Sequence, residues 1–279
     1  MKTTPRDFVF ARWILGAALL WSGVSLYAAD APAATPAANA AVNTAIVPVP
    51  QRLEDRLPQN AVNGFNRQHQ QFVERAQQGN IDVLFVGDSI TQGWPGPGKA
   101  VWEQYYAPMK AAEFGIGYDR TQHVLWRLQN GEGQGFQPKV VVLMIGTNNL
   151  GPNTVPQTAE GIAAVVKELR HDFPAAKILL LGIFPRDVPG SINRQRVADT
   201  NKIIAKLNDG QHVFYLDIGP KFLDPAGVIT PDIMADRPPL HPTAKGYEIW
   251  AAAIQEPLAN LLKPPVPAAA SAVQHAGGR

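Results

Sequence analysis

The sequence predicts an α/β domain built on a parallel sheet with helices on both faces. Five short runs, 82–87, 112–116, 140–146, 177–183 and 212–218, are almost unbroken in Val, Ile, Leu or Phe. Strands covered on both faces read this way, whereas a half-exposed strand would alternate. Helical patterns separate the runs, and strand and helix taking turns in this manner point to parallel crossovers. Three of the runs also end in segments that carry chemistry: Gly87-Asp88-Ser89, Phe114-Gly115-Ile116-Gly117-Tyr118-Asp119-Arg120-Thr121 and Gly146-Thr147-Asn148-Asn149.

Taken in order, the run 82–87 passes directly into the Gly-Asp-Ser turn, and 112–116 passes through a glycine-bearing loop into a helix over Gln122–Leu128. After Pro156, residues Ile162, Val165, Val166, Leu169 and Phe173 fall at helical spacing. Tyr247, Trp250, Ile254, Leu258 and Leu261 repeat the pattern over a last helix, 243–262. In a parallel sheet the carboxyl ends of the strands share one edge, so the three loops can meet in a single crevice.

Both ends of the chain read differently from this unit. Lys2, Arg6 and Arg12 precede or open an apolar run, 13–21, which small residues at Ala28 and Ala29 follow. That is the layout of a secretory signal peptide, expected over 1–29, and the run is short for a permanent span of about 20 residues. Ala/Pro-rich tracts follow as a linker, 30–51, and close the chain as a tail, 263–279, leaving a folded domain at 52–262. The expected location is periplasmic or secreted, with no stable membrane span after processing.

Composition narrows the function. A formal charge of +2 in 279 residues gives no basic surface for nucleic acid. With no cysteine, disulfides, thiol nucleophiles and cysteine-ligated metals are excluded. No ligand spacing for a metal is visible either, so no metal is expected. The segment Gly93–Lys99 nearly spells a phosphate loop, but Ala100 stands where a hydroxyl would hold magnesium and two prolines remove amides. Gly115-Ile116-Gly117 opens a dinucleotide fingerprint whose third glycine is Arg120.

What remains is a serine hydrolase pattern. A strand ending in Gly-Asp-Ser lifts the Ser89 hydroxyl to the sheet edge, yet an alcohol needs a histidine base and a carboxylate to orient it. Leu240-His241-Pro242, just before the last helix, offers the base, and Asp232 and Asp236 offer the acid. Asp88 reads as a cap of the turn after it rather than as an acid. Arg127 reads as a buried brace of its loop, with substrate contact as the other reading.

These blocks, with Val124-Leu125-Trp126-Arg127-Leu128-Gln129-Asn130-Gly131-Glu132 and Pro138-Lys139-Val140, resemble the SGNH (GDSL-type) hydrolase superfamily. The run Phe114–Asn149 is particularly similar to the catalytic α subunits of platelet-activating-factor acetylhydrolase. The resemblance spans nearly all of 62–262. It implies a flavodoxin-like three-layer sandwich with a five-stranded parallel sheet, no cofactor, and ester hydrolysis through an acyl-enzyme.

Carried over by residue, it implies Ser89 as nucleophile and oxyanion donor, Asn148 as a second donor, and His241 as base. Ile90, Thr147 and Leu240 would close around the acyl group. Two positions depart from the pattern. Tyr118 stands where the family has a donor glycine, so either a non-glycine residue holds a left-handed torsion there or the donor shifts to Gly117. The family acid lies three residues before the histidine, where this chain has Pro238; Asp236 is the first choice and Asp232 the reserve. The expectation is an exported esterase acting on a small ester or an acetylated glycan or lipid, removing a short acyl group, acetyl first. A lysophospholipase, thioesterase or acyltransferase with the same residues, and a binding module that has lost catalysis, are the alternatives. Oligomeric state is left open.

Overall fold

A computed structural model describes residues 42–264. The five predicted runs are strands: β1 Val83–Gly87, β2 Ala111–Gly115, β3 Val140–Met144, β4 Lys177–Leu181 and β5 Val213–Leu216. All pair in parallel in the order β2-β1-β3-β4-β5. This is the flavodoxin-like winding, whose strand order reverses between β1 and β3 and leaves a crevice at their carboxyl ends. Register puts Gly87 opposite Gly115 on one side and Met144 on the other, so the loops after β1, β2 and β3 leave the sheet at one level.

The helices are α1 (Gln59–Gln77), α2 (Ser89–Gln92), α3 (Lys99–Tyr105), α4 (Thr121–Arg127), α5 (Val155–Asp172), α6 (Ile192–Ile204) and α7 (Ala244–Leu262). Every residue of β1 and β3 is buried, which explains their lack of alternation. Successive side chains enter opposite cores. Leu84, Val86, Val141 and Leu143 pack with α1, α4, α5 and α6, while Val83, Phe85, Val140 and Val142 pack with α3 and α7. Trp94, Trp250 and Phe85 fill the second core at ring separations of 4.9–6.4 Å.

The amino-terminal boundary corrects the sequence expectation. Residues 43–51, assigned to the linker, form a strap packed on the domain. Ala45 is fully buried against Gly161 of α5, where an added Cβ would lie 2.9 Å from the Ala45 Cβ. Its carbonyl accepts from Thr121 Oγ1 at 2.7 Å, and Thr44 Oγ1 accepts from Asn153 at 3.0 Å. Average composition hid this, because a small residue and a few hydrogen bonds hold the strap rather than an apolar run. The expected signal segment 1–29, the linker up to residue 41 and the tail from 265 lie outside the described residues. No helix among the described residues is long and apolar enough to cross a membrane.

Candidate active site

Ser89 opens α2 directly after β1. Gly87 permits this join, since a Cβ there would lie 2.1 Å from Thr91 Oγ1 and 2.4 Å from the Met144 carbonyl oxygen. Asp88 is the cap expected from sequence: its Oδ1 accepts from the Ile90 N–H at 3.0 Å. The carboxyl is fully buried and its Oδ2 finds no partner among the described residues. Burial, aided by the nearby Asp119 carboxylate, pushes its pKa up to about 7. Tyr247 of α7 closes the turn from the α7-side core by donating to the Ile90 carbonyl at 2.6 Å.

His241 lies across the crevice, two residues before the Thr243 cap of α7. Its Nε2 is 2.9 Å from Ser89 Oγ, and its Nδ1 is 2.6 Å from Asp236 Oδ2. A carboxylate can only accept, so Nδ1 carries the proton and Nε2 is left to accept from the serine. The same Asp236 oxygen accepts from the His241 backbone N–H at 2.8 Å, which fixes the acid loop to the base. A bridge between Met234 and Pro242 closes that loop at its root. Asp232 is elsewhere: it pairs with Lys245 on the surface, and that contact with a hydrogen bond from Thr230 draws its pKa down to about 2. The structure thus brings Asp236 to the histidine and leaves the reserve acid apart.

The opposite wall is the loop after β2. Tyr118 keeps the left-handed torsion, φ 65°, and its ring is half-exposed. An L residue held there stores roughly 1–2 kcal/mol. Gly117 runs beside the serine, and a Cβ on it would be 4.0 Å from Ser89 Cβ. The backbone N–H groups of Ser89 and Tyr118 donate to no acceptor among the described residues. Asn148 follows β3 in a short turn that begins at Gly146, φ 125°, where a Cβ would press on Ile162 and Ile183 at 2.9 Å. One Asn148 Nδ2 hydrogen donates to the Asp119 carbonyl at 2.9 Å, and the amide retains a second N–H.

Arg127 is the brace and is fully buried. It pairs with Asp119 at 2.8 Å and with Glu132, and donates to Phe114 O at 3.1 Å and Gly87 O at 3.3 Å, tying the ends of β1 and β2 together. Burial pushes the Asp119 carboxyl upward, against the pull of the Arg127 charge. Such a buried pair costs desolvation and contributes geometry more than stability.

The three expected acyl-wall residues sit unequally. Ile90 and Thr147 are buried, at 1 % and 2 % exposure, and Ile90 belongs to the α7-side core. Leu240 is half-buried against that core and is the one of the three with open surface. Sequence reasoning missed several supports. Asn149 accepts from the Thr121 N–H at 3.0 Å and donates to Asn153 at 3.0 Å, joining the β2 and β3 loops. Arg186, after β4, reaches Thr147 Oγ1 at 3.1 Å, and the next residue, Asp187, donates its N–H to Pro239 O at 2.9 Å in the histidine loop. Gln51 of the strap reaches the β2 loop. The doubled Asn in Gly-Thr-Asn-Asn was a usable signal for Asn149; nothing local marked the others.

A sheet wound in this order, with a serine, a histidine and a carboxylate in hydrogen-bonded series at its switch point, carries a hydrolase type of site on a flavodoxin-like fold. Residues 85–249 match the GDSL-like lipase/acylhydrolase family. The chain is 40 % identical over 197 residues to the alpha2 subunit of platelet-activating factor acetylhydrolase IB from Rattus norvegicus, covering 70 % of this chain and 84 % of that one. Among solved structures it is similar to a GDSL-like lipase from Bacteroides thetaiotaomicron, with TM-score 0.54, 19 % identity, and coverage of 70 % and 97 %. An acetylxylan esterase from Geobacillus stearothermophilus matches with TM-score 0.52, 17 % identity, and coverage of 64 % and 94 %. This chain belongs to the GDSL-like lipase/acylhydrolase family, hydrolases whose substrates are esters.

Proposed function

We propose that the protein is an exported serine esterase that removes a short acyl group, acetyl foremost, from an oxygen ester through an acyl-enzyme. The observation that carries this reading is the series Asp236–His241–Ser89, at 2.6 and 2.9 Å. His241 takes the Ser89 proton as Oγ attacks the ester carbonyl, and returns it to the departing alcohol. Water, activated by the same imidazole, then attacks the acyl-enzyme and releases the acid. In both steps the negative charge on the carbonyl oxygen falls to the N–H groups of Ser89 and Tyr118 and the free N–H of Asn148. Each such donor is worth roughly 3–4 kcal/mol in the transition state. Asp236 holds the imidazole in the tautomer that leaves Nε2 unprotonated.

Acetyl preference is supported by the closed character of the wall at Ile90 and Thr147 and by the name of the alpha2 relative. Export is supported by the basic, apolar and small-residue order of 1–29. A serine-directed fluorophosphonate should label the protein at Ser89, and Ser89→Ala should lose labelling and cut p-nitrophenyl acetate turnover by several orders of magnitude. Comparable turnover by folded Ser89→Ala would overturn the mechanism. Acetate release from acetylated envelope glycans, compared with acetylated lipids, would identify the alcohol half.

A further inference from the structure

The β2 loop holds its left-handed turn without a glycine at Tyr118, and something must hold it there. Its two flanks are gripped by one side chain from outside the matched region. Gln51 Nε2 donates to Gly117 O at 2.7 Å and to Asp119 Oδ1 at 2.8 Å, so one amide spans the strained residue from both sides. Gln51 itself is 3 % exposed. The strap that carries it is fixed by Val49 N–H to Gln122 O at 3.3 Å, and the turn Leu53–Asp55 that follows it by the Arg120 to Asp55 pair at 3.0 Å. On the inner side of the loop, the Asp119 carbonyl takes the Asn148 amide and Gly117 runs beside Ser89. The turn therefore lies between Gln51 and the groups that would hold an oxyanion.

We propose that Gln51 is a positioning residue: its two hydrogen bonds lock the Gly117–Asp119 turn, with Tyr118 left-handed, so that the loop's N–H and Asn148 stay aimed at the reacting carbonyl. The inference rests on the esterase reading above. Gln51 touches no substrate and acts through the loop. An amide does this where a carboxylate could not, because both partners are acceptors. Without the clamp the turn is free to leave a conformation that a tyrosine disfavours, and the donors lose their alignment before substrate binding is affected.

The test uses the full chain and p-nitrophenyl acetate. Gln51→Met keeps the bulk and removes both donors; kcat should fall about 10- to 100-fold with KM changed little, as a misplaced donor predicts. Gln51→Glu, which sets a carboxylate against two acceptors, should be worse. Tyr118→Gly in the Gln51→Met background should recover about three- to tenfold in kcat, because glycine adopts the turn without penalty. Asn43 Nδ2 donates to Gln157 O at 3.3 Å and to Glu160 Oε2 at 2.7 Å, so Asn43→Ala loosens the strap from α5 away from the loop and should leave kcat unchanged. Unchanged kcat in Gln51→Met, no recovery with glycine, or an equal loss in Asn43→Ala would each overturn the inference. Should Gln51→Met fail to fold, Gln51→Glu alone and with Tyr118→Gly gives the same comparison. Wild-type protein inert to the fluorophosphonate would remove the esterase reading and this inference together; labelled wild type with an unaffected variant removes this inference alone.

Discussion

Asp88→Asn should make the protein more stable at alkaline pH while changing it little in acid. The carboxyl is fully buried beside the nucleophile, with one oxygen capping α2 and the other without a partner among the described residues. Its folded pKa of about 7 stands above the ordinary 3.8. Below that lower value both states are protonated and Asp88 contributes no pH dependence. Between the two values the native protein keeps a proton that the unfolded chain has lost, so stability falls as pH rises. Above about 7 both states are ionised and the penalty is complete. At 1.36 kcal/mol per unit the full loss is roughly 4 kcal/mol, an upper figure for a group whose surroundings can relax. Asparagine keeps the cap and the shape without the charge. Urea unfolding of both proteins at about pH 4, 5.5, 7 and 8 isolates the effect, since other groups cancel in the difference. Relative to wild type, the variant should gain stability across that range and level off above neutrality. A difference that does not vary with pH would mean that Asp88 is already ionised in the native protein at acid pH, and would refute the argument.

Asp236→Asn should lower kcat by about 10²- to 10⁴-fold by spoiling the histidine tautomer, whereas Asp232→Asn should stay near wild type; steady-state kinetics of the two variants decides, and damage at 232 alone would reverse the assignment. p-Nitrophenyl acetate should be cleaved with higher kcat/KM than butyrate, with octanoate nearly inert, and Leu240→Ala should raise the butyrate to acetate ratio. Octanoate turned over as well as acetate would mean an open acyl channel and a lipase or thioesterase.

The strands were legible because a strand covered on both faces has no polar alternative: Val140–Met144 could be read without any partner in view. The strand-end blocks were legible for a similar reason, since Gly87 and Gly146 sit where a Cβ has no room and the reactive side chains follow them directly. Sequence also supplied Ser89 and His241 from their own motifs and Asn148 through the resemblance, but left the acid open between two aspartates a few residues apart. Only the closed loop from Met234 to Pro242 sets Asp236 beside His241 and leaves Asp232 on Lys245. Gln51, Arg186 and the burial of Asp88 likewise belong to the tertiary structure. A nucleophile's neighbours along the chain are fixed by covalent bonds, but the partners that hold its loops and set its electrostatics arrive from 39 to 152 residues away. Hydrogen bonds of that kind depend on where a donor's atoms end up in space, and no local pattern of residue types records that.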